Sequence, residues 1–276
     1  MANKKLLETG ASTHDYYQSI NRVYRKLYHK LLMLHYPFFK QEGESLEKRQ
    51  VNLTDHCMSR VPPLENKHVL ELGCGNGAQS LYIYENYNPK AFTGIDINAH
   101  NIELARSLNG VHQNLNYYVD DAQAMATIPD NSVDVLLSIE SAFHYPDKPR
   151  FLKELRRVLK PSGTFLIADI LSCSQKNRFI MEKWKKKMNF HHWTKNQYLN
   201  AFDDHGLELK HKEDITRFVK DGYKGHNDWV SRHKFNNFFG FLSFKLFVFI
   251  QVTINLLLLK SRRQYYIFVG EKGAGY

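Results

Sequence analysis

The sequence predicts a doubly wound α/β domain, and three features carry that expectation. Five short apolar runs lie between Lys67 and Asp169, separated by stretches of helical periodicity. The first run passes directly into closely spaced glycines, and the chain ends near Gln264-Tyr265-Tyr266-Ile267-Phe268-Val269, a segment of strong β preference. With 276 residues, 43% of them hydrophobic and 13% aromatic, the chain can bury one large core.

Taken in order, residues from about Asp15 to Leu34 place Tyr17, Ile20, Val23, Tyr24, Leu27, Leu31 and Leu34 at helical spacing, so an amphipathic helix is expected there, ending before Pro37. The five apolar runs are His68 to Leu72, Ala91 to Ile95, Leu115 to Val119, Val133 to Ile139 and Thr164 to Ala168. Helical segments between them indicate βαβ units and a parallel sheet. Pro129-Asp130-Asn131 punctuates the start of the fourth strand. A helix starting near Asp147 ends at Lys160-Pro161-Ser162-Gly163, which launches the fifth. After Gly206 come a strand candidate, Leu207 to Ile215, a long helical region, and a last strand that closes the sheet.

The balance of 38 Lys and Arg against 28 Asp and Glu leaves a net charge of +10, which favours anionic partners without choosing among phosphate, nucleic acid and acidic lipid. Cys57, Cys74 and Cys173 are odd in number and form no CxxC pair, which argues against a disulfide framework or a thiolate metal site and fits a reducing cytoplasm. No apolar stretch of signal-peptide length opens the chain, so the mature protein is expected to begin as written. His191-His192 is expected as an exposed helix-end pair. No third ligand at matching spacing accompanies it, and no metal is expected.

The segment Val69-Leu70-Glu71-Leu72-Gly73-Cys74-Gly75-Asn76-Gly77 runs an apolar strand into alternating glycines, where backbone can approach a ligand that any Cβ would exclude. Gly73, Gly75 and Ala78 also satisfy the dinucleotide pattern GxGxxG/A. Glu71 argues against that reading, because an acid two residues before the first glycine repels a pyrophosphate and suits a ligand bearing ammonium and sulfonium charges.

These residues resemble the class I S-adenosylmethionine-dependent methyltransferases, whose first motif (D/E)xGxGxG is matched in full. The resemblance is close over about Asn66 to Asp169. It implies a seven-stranded Rossmann-like methyltransferase sheet with N-terminal helices and a helical insertion before the last strand. By the same resemblance S-adenosylmethionine is the cofactor, residues 1–62 form a helical cap or lid, and residues 63–276 form the catalytic domain with 216–262 as its insertion. It implies that Gly73, Gly75 and Gly77 line the methionine part of the cofactor with Glu71 nearby, and that Cys74 and Ile139 border the site. Asp96 would accept both ribose hydroxyls and Ile97 would pack on the adenine. Asp121 would take the exocyclic amine while the Ala122 N–H meets a ring nitrogen. Tyr16 and Tyr17 suit either a lid over the cofactor or ordinary packing.

Within the superfamily, Ser138 to Asp147 and Phe151 to Gly163 resemble the small-molecule branch, which includes sugar and polyketide O-methyltransferases and phthiotriolone-type lipid and sterol methyltransferases. Where several O-methyltransferases carry two histidines, this chain has Phe143-His144. A hydroxyl acceptor must lose a proton, and His144 on the loop after the fourth strand is the candidate base. Asp169 would orient it, receive the proton, or serve instead as a cap or structural acid. A sterol-type carbon acceptor would not need His144. An oxidoreductase using NAD(P) and a non-catalytic cofactor binder are compatible with the same glycine turn. The (N/D)PP(Y/F/W) motif of base-amine methyltransferases is missing at Ser138-Ile139-Glu140-Ser141, so nucleic acid is disfavoured despite the run Lys183 to Lys187.

Phe238 to Leu259 is apolar enough to span a bilayer, yet a crossing there would strand the closing strand on the far side. A narrow polar stripe of Asn236, Gly240, Ser243, Gln251, Asn255 and Arg262 instead suggests a core helix, a lid over a greasy acceptor, or an interfacial helix meeting an anionic membrane through 235–263. The acceptor is expected to be a hydrophobic small molecule or lipid; no oligomeric state is implied.

Overall fold

The computed structural model describes residues 15, 17, 18, 20–22, 24, 25, 28–110, 112–173, 189–222 and 262–274. The helical reading of Phe238 to Leu259, the membrane contact through 235–263, the basic run Lys183 to Lys187, Tyr16 and most of the insertion 216–262 lie outside the described residues. No helix among the described residues is long and apolar enough to cross a membrane.

The sheet has seven strands: β1 (His68–Leu72), β2 (Ala91–Asp96), β3 (Leu115–Val119), β4 (Val133–Ile139), β5 (Leu159–Ser172), β6 (Leu207–Asp214) and β7 (Arg263–Lys272). Their order is β3-β2-β1-β4-β5-β7-β6. The first five run parallel, and β7 lies antiparallel between β5 and β6. The order reverses between β1 and β4, which opens a crevice at their carboxyl ends. Helices α1 (Leu46–Met58), α2 (Ala78–Tyr87), α3 (Ala99–Asn109), α4 (Lys148–Val158), α5 (Lys195–Asp204) and α6 (Thr216–Gly222) flank the sheet.

Parallel strands covered on both faces read as continuous apolar runs. Accordingly, Val135 and Leu137 of β4 join one buried cluster with Leu53, Ile83 and Ile102, while Leu136 joins the opposite one with Phe151, Leu155 and Phe202. The helix starts are set locally. The side chains of Ser45, Asn98 and Asp147 accept the N–H groups of Lys48, His100 and Arg150, and Thr194 with Gln197 forms a reciprocal capping box.

The first helix is shorter than its periodicity suggests. The described residues from 15 to 28 are helical, but His29 adopts φ +56° and residues 31–40 have no regular structure. Side chains hold this strap by its backbone: Gln50 Nε2 donates to the carbonyls of Met33 (2.6 Å) and His35 (3.0 Å), and Asn76 Nδ2 donates to that of Leu32 (2.9 Å). Leu31 to Met33 are buried along it, so the apolar spacing that suggests a longer helix comes from strap residues packing inward. The His191-His192 pair is a second departure. It precedes α5 in an extended segment and is partly buried, with His192 stacked on Phe143 and His191 N–H bonded to the Phe143 carbonyl.

Gly77 begins α2 with φ +80°, and a Cβ there would lie 2.6 Å from Ala105 Cβ and 2.8 Å from Ala105 Cα. Gly77→Ala should therefore destabilise the fold by about 2–4 kcal/mol through left-handed strain and overpacking, read as a lower urea midpoint. An unchanged midpoint would mean that α3 yields without cost.

Candidate active site

The carboxyl ends of β1, β2 and β4, with the strap and the segment at Asn189, enclose a cavity of about 780 Å³. Its floor depends on Gly73 (φ +66°), where a Cβ would stand 2.4 Å from Ser141 Cβ, and on Gly75 (φ +55°), where one would stand 2.9 Å from Leu34 Cδ1. Asp96, at the end of β2, holds this turn: its Oδ2 accepts the Gly75 N–H (3.0 Å) and its Oδ1 the Asn98 N–H (2.8 Å).

Of the residues expected at the cofactor, Tyr17, Gly73, Cys74, Gly75, Asp96, Ile97, Asp121, Ala122 and Ile139 line this one cavity. Ile97 is 66% exposed at its rim. Two others lie elsewhere. Gly77 does not border the cavity and serves the approach of α3 instead. Glu71, 1% exposed, sits beneath the glycine turn and accepts a short hydrogen bond from Ser80 Oγ; burial raises its carboxyl to about 8, with Asp96 adding in the same direction.

His144 also lines the cavity. The Asn189 carbonyl only accepts, so Nδ1 carries the proton toward it (3.3 Å) and Nε2 accepts from the Tyr17 hydroxyl (2.9 Å). Burial draws the imidazole down to about 4, and the Lys148 charge pushes in the same direction. His35, also at the cavity, is lowered to about 4 by burial.

Asp169 does not orient His144. It is fully buried, with Oδ1 accepting the Phe143 N–H (3.1 Å) and Oδ2 the Tyr198 hydroxyl (2.6 Å). Burial raises its carboxyl, and the charge of Lys148 opposes that rise. Lys148 is itself buried. Its ammonium donates to the carbonyls of His191 and Tyr145, and burial lowers it to about 8. Asp169 and Lys148 thus set the backbone on both sides of His144 rather than its ring.

Among the cavity residues not anticipated from sequence are Glu140, Asn189 and Tyr145. Glu140 follows β4 at φ +53°, and its Oε1 accepts the Tyr36 N–H (2.6 Å). Tyr145 places a buried hydroxyl at the cavity beside Ser138 and Ser141. A Glu or Tyr in a loop carries no period or spacing that marks it, so only the chain's return to the crevice identifies them.

The cavity discriminates between nucleotide ligands. Asp96, Asp120, Asp121 and Glu140 line it, and no Lys or Arg among the described lining residues offsets them. The first N–H of α2, where a phosphate would otherwise bind, is taken by Asn76 Oδ1 (3.0 Å). A pyrophosphate is disfavoured here. A nucleoside carrying ammonium and sulfonium charges fits, with the Gly73–Gly75 cradle open to it. Among the described residues no His, Cys, Asp or Glu group is arranged to hold a metal ion.

Known proteins of similar sequence point the same way. A family model described as a methyltransferase domain matches residues 63–221, more than half of the chain. The fatty-acid O-methyltransferase of Mycolicibacterium smegmatis is 31% identical over 147 residues, 53% of this chain and 51% of that protein. The 2-methyl-6-phytyl-1,4-hydroquinone methyltransferase of Synechocystis sp. is 41% identical over 112 residues, 41% of this chain and 34% of that protein. The chain spans about half the length, or less, of these curated relatives. Among solved structures, the [4+2]-cyclase SpnF superposes with a TM-score of 0.72 at 18% identity, covering 94% of this chain and 97% of its own. That likeness concerns the fold alone, and a cyclase on the same fold shows that architecture does not name a reaction.

Removing the buried ammonium leaves the carbonyls of Tyr145 and His191 without their donor, so Lys148→Met should cost about 1–3 kcal/mol in urea unfolding. A loss no larger than that of a surface substitution, about 0.5 kcal/mol, would show that these carbonyls find other partners at no cost.

Proposed function

The chain belongs to the methyltransferase-domain family, and on that premise we propose that it transfers a methyl group from S-adenosylmethionine to an apolar, lipid-like small molecule. The observation that carries this reading is one cavity lined both by the acids Asp96, Asp120, Asp121 and Glu140 and by Met33, Leu34, Ile139 and a His144 that burial keeps neutral.

When bound, the cofactor supplies an electrophilic methyl on a sulfonium. The chain's residues bind, orient and exclude water. A carboxylate accepts up to about four hydrogen bonds, so Asp96 serves the glycine turn and two ribose hydroxyls together. Asp121 and the Ala122 N–H meet the adenine edge, and Ile97 covers a ring face. Met33, Leu34 and Ile139 offer apolar contact to an acceptor, in keeping with relatives named for fatty-acid and phytyl hydroquinone substrates. In-line displacement needs the nucleophile about 3 Å from the methyl along its bond axis.

His144 acts on a hydroxyl acceptor through Nε2 once Tyr17 yields that position. An imidazole held near 4 stays neutral through the physiological range but is weakly basic, so it aligns the hydroxyl and takes its proton late. The same low basicity favours a second reading, methylation of an electron-rich carbon that requires no strong base.

Two measurements test these assignments. Asp96→Ala should weaken S-adenosylmethionine binding at least about tenfold by calorimetry, since charged acceptors of hydroxyl groups contribute about 1.5–3 kcal/mol; native affinity would remove Asp96 from the cofactor site. With a hydroxyl acceptor, His144→Ala should lower kcat about 10²-fold, the lower end for general base catalysis, at unchanged cofactor Kd. Near-normal turnover on that acceptor would remove His144 as its general base.

A further inference from the structure

Asn76 stands between two glycines of the turn after β1, and its carboxamide is used to capacity. Its Oδ1 accepts the Ala78 N–H at the start of α2 (3.0 Å), and its Nδ2 donates both to Asn21 Oδ1 (2.8 Å) and to the Leu32 carbonyl (2.9 Å). These partners fix the orientation of the amide, because the Ala78 N–H only donates and the Leu32 carbonyl only accepts. An aspartate in the same place would keep the cap on α2 and lose both donors. Asn76, Asn21 and Asn101 are all buried, and Asn21 Nδ2 in turn reaches Asn101 Oδ1 on α3 (3.5 Å).

The far ends of these bonds belong to the segments that cover the cavity. Tyr17 and Asn21 are both in the N-terminal helix, one turn apart, and so share a face. A bond that fixes Asn21 therefore fixes the direction of Tyr17, whose hydroxyl lies 2.9 Å from His144 Nε2 and whose ring meets the imidazole edge-on at 5.7 Å between centroids. Leu32 precedes Met33, Leu34 and His35, which all line the cavity, and Leu34 reaches over Gly75. The N-terminal helix and the strap thus share one anchor in the glycine turn.

We propose that Asn76 is a positioning residue for methyl transfer: through Asn21 it holds the Tyr17 hydroxyl on His144 Nε2, and through Leu32 it seats the strap beside the glycine turn. This rests on the reading of His144 as the histidine that meets the acceptor. With Tyr17 in place, Nε2 is closed to other donors. An acceptor hydroxyl gains that nitrogen only by displacing Tyr17, which takes binding energy from elsewhere on the acceptor. Water and small alcohols have none to offer, whereas a molecule that fills the apolar lining of Met33, Leu34 and Ile139 does. The strength of the Asn76 anchor thereby sets the threshold that an acceptor must meet.

The test is the rate at which diethyl pyrocarbonate modifies His144 in the full chain at neutral pH without ligand, read by peptide mass spectrometry. The reagent takes Nε2 when Tyr17 has released it, so the rate follows the released fraction. Asn21→Ala leaves the glycine turn untouched, and Asn76→Asp keeps the cap on α2. Each should raise the rate about two- to tenfold, the effect of one lost buried hydrogen bond; should Asn76→Asp fail to fold, Asn21→Ala decides alone. Asn21→Asp, whose carboxylate still accepts from Asn76, should react like wild type. In a Tyr17→Phe background the acceleration by Asn21→Ala should shrink, because members of one network are not additive. An unchanged rate in Asn21→Ala, a rate in Asn21→Asp as fast as in Asn21→Ala, or a full acceleration without the Tyr17 hydroxyl would each overturn the proposal. No cofactor is added, so the outcome does not depend on S-adenosylmethionine binding. Normal turnover in His144→Ala would remove the role in transfer while leaving the placement of Tyr17 to this measurement.

Discussion

The absence of a Cβ at Gly73 is the constraint that shapes the whole site. Any side chain there would meet Ser141 Cβ at 2.4 Å, so only glycine lets the turn after β1 lie against the loop after β4. That contact brings the ends of the two central strands together at the reversal of strand order, and the cavity opens there. Asp96 then fixes the turn from the neighbouring strand by accepting the Gly75 N–H. A backbone held this closely needs no large side chain to shape the ligand surface, which leaves the chemistry to a few carboxyls and one histidine.

The electrostatics of the cavity run opposite to those of the whole protein. A chain of net charge +10 encloses a cavity whose charged lining, among the described residues, consists of carboxyls. Overall charge governs encounter with large anionic surfaces, whereas the local field governs which small ligand remains bound. Two of the acids, Glu71 beneath the turn and Glu140 at the cavity, are buried far enough to sit near 8.

At the acceptor end the logic is neutrality. His35 and His144 are kept uncharged by burial, and the strap that carries His35 is anchored by Gln50, Thr54 and Asn76 rather than by regular structure. Tyr17 reaches His144 from the N-terminal helix across the sequence, and its hydroxyl occupies Nε2 of that ring. Asp169 and Lys148, both buried, lie behind this arrangement and hold the segments bearing Phe143 and His191 separately.

The order of elements and the nucleoside half of the cavity are written in the chain's local patterns. The runs His68–Leu72, Leu115–Val119 and Val133–Ile139 coincide with β1, β3 and β4; the central β4 is apolar because it is covered on both faces, whereas the edge strand β3 buries only Leu115 and Tyr117. Gly73, Gly75, Asp96 and Asp121 are legible because each follows a strand at a fixed offset, and the offset survives translation into space. Gly77, Glu71 and Asp169 share that legibility, yet the structure directs them to helix packing, to Ser80 and to Tyr198. A motif position specifies where the backbone passes, not which neighbour the side chain meets. Folding alone makes Glu140, Tyr145 and Asn189 face the same space as His144, since those contacts join segments with no shared period. Folding also sets their protonation, because desolvation depends on how many distant residues close over a group, and no local pattern encodes that number.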